Sequence, residues 1–252
     1  MAGHSKWANI QHRKKAQDAK RGKIFTRLIR ELTVAAREGG GDPASNPRLR
    51  LAMDKASAAN MTKENIARAV KRGSEGADKD TIEMVTYEGY GPGGIAVMVE
   101  CATDNRNRTV AEVRHAFSRN GGNLGESGSV GYLFARRGVV YCRAADEEQV
   151  LAAALDAGAE DVVEDNDVDG GADGGQFVVL AAPEDLFRVA DALREASIEI
   201  TDSGHEMVPE TQMALAGEAA RKAVQFLDTL EELDDVQKVY VNAEFSLDGG
   251  AP

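Results

Sequence analysis

Cysteine is scarce in this 252-residue chain, with two in all, so a disulfide scaffold is excluded by count. Cys101 and Cys142 both lie in Val-flanked runs that read as strand interiors, where a thiol behaves as a small buried hydrophobe. Long apolar runs are also missing. Nothing approaches the roughly 18 to 20 consecutive apolar residues of a membrane helix, and the N-terminus has no signal-peptide core, so a cytoplasmic protein without a membrane partner is expected. His4, His12, His115 and His205 are scattered without ligand spacing. Asp165, Asp167, Asp169 and Asp173 lack the bidentate Glu that closes a calcium loop and read as a solvated hairpin tip. No metal or other cofactor is expected. No Ser/His/Asp or Cys/His set declares itself, so no catalytic residue is assigned and the chain is not read as an enzyme.

What the chain has is charge, unevenly placed. Lys and Arg against Asp and Glu number 18 and 9 over residues 1–80, 6 and 6 over 81–139, and 6 and 27 over 140–252. The net values of +9, 0 and −21 within a total of −12 give the two ends different roles. The overall acidity disfavours a polyanionic partner, but only local cationic patches release counterions on binding, and the basic end is such a patch.

Its cations are ordered as well as numerous. On a helix over 23–38, Phe25, Leu28, Ile29, Leu32 and Ala36 share one face, and Lys20, Lys23, Arg27 and Arg30 fall together on the other as an outer cationic stripe. Ahead of it, Lys6, Arg13, Lys14, Lys15, Lys20 and Arg21 lie in a segment with few core-forming residues, which reads as an arm that orders on binding. Trp7, the one tryptophan, is placed either to stack on a base or to anchor the arm.

Glycines at 39–41 and Pro43 end the first helix, Asn46-Pro47 caps and opens a second, and Thr62 caps a third that is expected to stop at Gly73. Residues 1–75 thus form a basic helical bundle with an N-terminal arm, followed by a linker over 74–80. From Ile82 the pattern turns to strands: a hairpin of Met84–Gly89 and Ile95–Cys101, a helix over Arg108–Arg119, and a strand through Val130, Tyr132 and Phe134. Residues 138–204 read as βαββαβ, a ferredoxin-like unit. A strand at His205–Val208, a helix over Ala214–Leu233 and a strand over Val236–Val241 complete the interrupted domain. The expected class is multidomain α+β. A helical bundle (1–75) is followed by a discontinuous α+β domain (81–136 plus 205–245), into which a ferredoxin-like domain (138–204) is inserted.

Several stretches resemble one family: Gly3-His4-Ser5-Lys6-Trp7 with Arg21-Gly22-Lys23, Gly40-Gly41-Asp42-Pro43 with Asn46-Pro47-Arg48-Leu49-Arg50, Tyr87 through Gly94, Thr103 through Thr109, and Gly128-Ser129-Val130. The chain is similar over essentially its full length to the YebC/PmpR family, which also includes the mitochondrial translational activator of cytochrome oxidase subunit one. One departure is Thr62, where the family pattern has a proline; both residues suit a helix start. The resemblance implies a cytoplasmic, non-catalytic, nucleic-acid-binding regulator of gene expression: a probable transcriptional regulator that binds DNA, or a ribosome-associated translation factor that binds ribosomal RNA and helps difficult peptide sequences through. An acidic adaptor docking a basic partner protein is a third reading. Oligomeric state is not legible.

Two further sites carry alternatives. Gly89–Gly94 is either a phosphate cradle or a structural hairpin turn, and it lacks the Gly-Lys-Ser/Thr ending of a P-loop. Arg106 and Arg108 stand at a strand-to-helix junction with Asn105 and Asn107, where they either hold a phosphate or pair with carboxylates beside an ordinary helix cap. The bundle shows no convincing helix-turn-helix, because the glycine-rich connection after its first helix is too long, which favours RNA over operator DNA.

Overall fold

The structure is a computed structural model that describes residues 21–75, 82–144, 146–165 and 175–246. Most of the arm, with Lys6, Trp7, Arg13, Lys14, Lys15 and Lys20, lies outside the described residues, as do the core of the linker and the acidic hairpin tip. The described chain divides into two compact units, one over 135–208 and the other over 21–134 with 209–246.

The larger unit begins with helices α1 (Arg21–Gly39), α2 (Pro47–Ala58) and α3 (Lys63–Glu75). The apolar stripe of α1 does what its spacing demands: Leu32, Ala35 and Ala36 are buried against Leu49, Ala52 and Ala56 of α2 and Ile66 and Ala69 of α3, with Phe25, Leu28 and Ile29 packed alongside. Asn46 serves two helices at once. Its Oδ1 accepts from Leu49 N at 3.0 Å to cap α2, and its Nδ2 donates to Ala35 O at 2.7 Å and Gly40 O at 2.8 Å, satisfying carbonyls at the end of α1. Thr62 caps α3 through Asn65 N at 3.3 Å.

Gly73 does not end α3. The helix runs on to Glu75, and Gly73 is buried inside it where a Cβ would stand 2.3 Å from Thr33 O. Its glycine answers a close helix crossing with α1, not a stop.

The remainder of this unit is a four-stranded sheet in the order β3-β1-β2-β9, built from β1 (Glu83–Tyr90), β2 (Ala96–Thr103), β3 (Asn123–Leu124) and β9 (Val236–Val241). β1 and β2 form the expected antiparallel hairpin, and β2 pairs antiparallel with β9, which lies more than a hundred residues further on. Helices α4 (Arg106–Arg119) and α7 (Gly217–Glu231) contribute Val113, Ala116, Phe117, Ala220, Ala223, Phe226 and Leu227 to one core with Ile95, Val97, Val99 and Cys101. The Phe117 and Phe226 rings meet edge to face at 4.9 Å.

Two further local expectations fail in this unit. Residues 131–133 form a short 3-10 turn, not a strand, because loop N–H groups are taken by a buried carboxylate described below. Residues Ala214 to Ala216 are not helical: Met213–Ala216 is strand β8, paired parallel with β10 (Ala243–Ser246), and α7 starts only at Gly217, where φ is +58°.

In the smaller unit the order is β4 (Phe134–Ala144), α5 (Glu147–Asp156), β5 (Ala159–Asp165), β6 (Gly175–Ala181), α6 (Leu186–Glu195) and β7 (Glu199–Pro209). The sheet runs β5-β6-β4-β7, with β6 antiparallel to both β4 and β5. Val140, Cys142, Val150, Phe177, Val179, Leu186, Val189 and Leu193 form its core. The strands expected separately at Ile198–Thr201 and His205–Val208 are one, β7. The Tyr141 hydroxyl donates to buried Glu206 at 2.9 Å, so polar residues late in β7 are held by β4.

Asn46→Ala leaves carbonyls of α1 and an N–H of α2 unpaired at a buried position, and should cost about 2 kcal/mol. Chemical denaturation is expected to show a lower midpoint with little change in slope; an unchanged midpoint would remove Asn46 from its joining role.

Candidate nucleic-acid interface

The cationic stripe read from the sequence does not face outward at Lys23, Arg27 and Arg30. Lys23 Nζ donates to Glu232 O, Arg27 Nη2 to Glu231 O, and Arg30 Nη1 to Asp234 O, at the last residue of α7 and in the turn that follows it. A helix leaves its last four carbonyls unpaired and carries partial negative charge there, so three guanidinium or ammonium groups in a row make an apt cap. Burial lowers the Arg27 pKa, with Glu231 pulling it the other way. Further along α1, Arg37 Nη1 donates to Ile82 O at 2.6 Å. Arg21 opens α1, but its side chain is outside the described residues, as is Lys20 altogether.

Arg30 also reaches Asp235, whose side chain is only 2% exposed. One carboxylate oxygen lies 2.9 Å from Arg30 Nη2. The other lies 2.8 Å from Arg108 Nη2, 2.6 Å from the Thr109 hydroxyl and 3.2 Å from the Thr103 hydroxyl. Burial pushes this carboxyl up, but hydrogen bonds from Thr109 and Arg108 and the charges of Arg30 and Arg108 outweigh it and hold the group below the usual carboxylate range.

At the strand-to-helix junction a helix cap and arginine–carboxylate pairs are both present. Asn105 caps α4 by accepting from Arg108 N at 3.1 Å. Arg108 also reaches Asp104 at 2.8 Å, and its pKa is raised by its hydrogen bonds to Asp235 and Asp104. Arg106 lies 3.5 Å from Glu83 in a more exposed pair. Both arginines therefore have carboxylate partners.

At the other glycine-rich stretch, Gly91 N donates to Ile95 O at 2.8 Å and Gly94 N to Gly91 O at 3.0 Å, so those N–H groups are spent on the turn. The anion-holding loop is elsewhere. Glu88, 8% exposed, accepts from Gly128 N at 2.9 Å, Val130 N at 2.8 Å and Gly131 N at 2.7 Å. Burial raises its pKa, and the three N–H donors more than reverse that. Tyr87 packs against the core, whereas Tyr90 and Tyr132 are exposed, with the Tyr90 hydroxyl 3.3 Å from Ser129 O.

Other side chains weighed from the sequence have structural settings. Both cysteines are buried and free, and burial, the largest cause at each, pushes both thiols up to about 12. His115 is exposed on α4, and His205 Nε2 lies 3.0 Å from Pro183 O in the smaller unit. Among the described residues no helix is long and apolar enough to cross a membrane.

Glu88 and Asp235 were not singled out from the sequence. An acid within the glycine- and tyrosine-rich 87–91 stretch is a faint local signal for the first. Asp235 has none, since its partner Arg108 is 127 residues away.

Folded Asp235 binds its proton less readily than an unfolded aspartate, whose pKa is about 3.9. Its contribution to stability is therefore complete above about pH 5 and lost as pH falls through 4 and below. Asp235→Asn should lower stability near neutrality by about 2 kcal/mol and flatten the acid limb of a stability-versus-pH curve. An acid limb unchanged in the variant would mean that other carboxylates govern it.

Two family models match the chain: the TACO1/YebC protein N-terminal domain over residues 5–76 and the TACO1/YebC second and third domain over residues 82–243. A probable transcriptional regulatory protein of Nitrosococcus oceani is 57% identical over 249 residues, covering 98% of this chain and 97% of its own. The probable transcriptional regulatory protein YebC of Salmonella arizonae is 54% identical over 246 residues, with 98% and 97% covered. The crystal structure of a conserved hypothetical protein from Aquifex aeolicus superposes with a TM-score of 0.83 at 44% identity, over 92% of this chain and 93% of that one. The chain belongs to the TACO1/YebC family.

Proposed function

We propose that this protein is a non-enzymatic nucleic-acid-binding regulator of gene expression that works in the cytoplasm. It grips phosphate backbones through its basic arm, while the bundle and α+β body position that arm. The observation that carries this reading is the charge segregation, a +9 segment over residues 1–80 in a chain whose last 113 residues carry −21. The names of its relatives, probable transcriptional regulatory proteins, point to DNA as the target. The side chains described as cationic in the junction and in α1 are engaged by the body, so the arm cations Lys6, Arg13, Lys14, Lys15, Lys20 and Arg21 are assigned the backbone contacts. The chemistry of the body favours holding over catalysis: its two thiols are pushed far from the reactive range, and Asp235 and Glu88 are saturated with donors.

A second reading, a ribosome-associated translation factor that binds ribosomal RNA, is favoured by the orientation of α1. A recognition helix reads DNA by turning its polar face into the major groove, and the polar face of α1 is turned to α7 at Lys23, Arg27 and Arg30. The 135–208 unit, with its βαββαβ order and β5-β6-β4-β7 sheet, is read as a ferredoxin-like insertion that a partner can address separately.

Two double variants divide the labour. Lys14→Ala/Lys15→Ala should weaken binding about equally across sequences and reduce the log–log salt slope by about 2. Arg27→Ala/Arg30→Ala should act chiefly on thermal stability, because it uncaps α7 and strips Asp235 of a partner. A salt slope unmoved by the Lys14/Lys15 change would refute the arm as the grip, and crosslinking in cells with sequencing of attached DNA and RNA distinguishes the two targets.

A further inference from the structure

We propose that the solvent face of α4, centred on Asn107, Arg114, Ser118 and Arg119, is a docking surface for double-stranded RNA. It deepens the nucleic-acid reading above and rests on it. α4 is the most basic element of the body, with four arginines and one glutamate in 14 residues. Two of those arginines are occupied, Arg106 by Glu83 and Arg108 by Asp104 and Asp235. Arg114 and Arg119 are exposed and have no hydrogen-bond or ion-pair partner among the described residues. By contrast, the exposed cations Arg68 and Lys71 of α3 are neutralised within their own helix by Glu64 and Glu75.

The face is shaped as well as charged. Thr109, Val113, Ala116 and Phe117 turn inward, which leaves Asn107, Ala111, Arg114, His115, Ser118 and Arg119 outward. The row Asn107, Ala111, Ser118 is small and uncharged and runs about 16 Å along the helix, so a backbone can approach it closely between the flanking arginines. Arg114 and Arg119 are separated by about 7.5 Å along the axis, room for each to take its own phosphate.

RNA is chosen over DNA by what stands beside α4. It lies against α7 on the same core, with Phe117 touching Phe226, so it is one ridge of a two-helix layer and not a lone projecting helix. Entering the B-DNA major groove, about 12 Å wide, takes an element that stands clear of its neighbours. The wide, shallow minor groove of A-form RNA admits a broad layer and displays 2′-hydroxyls to short polar side chains such as Asn107 and Ser118, with phosphates on both sides for arginines.

The test uses the full chain and a blunt RNA duplex of roughly 20 base pairs, long enough to present successive minor grooves, beside the same sequence as DNA. Arg114→Gln/Arg119→Gln is compared with Arg68→Gln/Lys71→Gln, which removes the same charge from α3. Thermal unfolding checks that both remain folded. The α4 variant should bind the RNA duplex about tenfold more weakly or worse and lose about 2 from its salt slope, with a smaller loss on DNA, while the α3 variant keeps the parent's affinity. If the parent binds and the α4 variant binds equally well, this surface is wrong and the general reading stands. Equal weakening by the α3 variant reduces the effect to net charge and overturns the proposal, and an equal or larger loss on DNA overturns the assignment to RNA. A parent that binds neither duplex nor single-stranded nucleic acid defeats both the proposal and the reading beneath it.

Discussion

Asp235 is the constraint on which the larger unit turns. A carboxylate with almost no exposure has to be matched by donors on every side, and its donors come from three different places: Arg30 in the first helix, Thr103 at the end of β2, and Arg108 with Thr109 at the start of α4. The cost of leaving a buried charge unpaired is several kcal/mol, comparable with the whole stability of a domain. The approach of the bundle to the sheet, the turn from α7 into β9, and the first turn of α4 are consequently fixed together.

That arrangement changes the meaning of the charge contrast along the chain. Basic residues in the first 80 positions and acidic residues in the last third look like two ends addressed to different partners, yet part of that contrast is satisfied internally, where α1 caps α7. The bundle and the split α+β segment belong to one compact unit. An adaptor in which the acidic body acts without its basic end would have to leave the carbonyls of Glu231, Glu232 and Asp234 and one side of Asp235 without their cations.

Much of this was legible in advance where the information is local. The α1 stripe, the Asn46 and Thr62 caps, the β1–β2 hairpin and the inward cysteines follow from periodicity and side-chain chemistry within a few residues. Misreadings arose where a distant partner decides the conformation. The 214–216 stretch has helix-forming composition, but β10 draws it into a parallel pair; Gly73 looked like a terminator because nothing nearby reveals Thr33 crossing it. The same holds for the site residues. Helical periodicity places Lys23, Arg27 and Arg30 on one face, but which surface that face meets depends on a helix some two hundred positions later.

Glu88 has a consequence of a different kind. Converging backbone N–H groups such as those of Gly128, Val130 and Gly131 form the concavity in which proteins hold phosphate, and here the chain supplies the anion itself. The carboxylate acts as a resident substitute ligand, and because it is tethered to β1 a free anion has to compete with its high local concentration. The N–H groups of this loop are thereby spent within the chain and are not open to another anion.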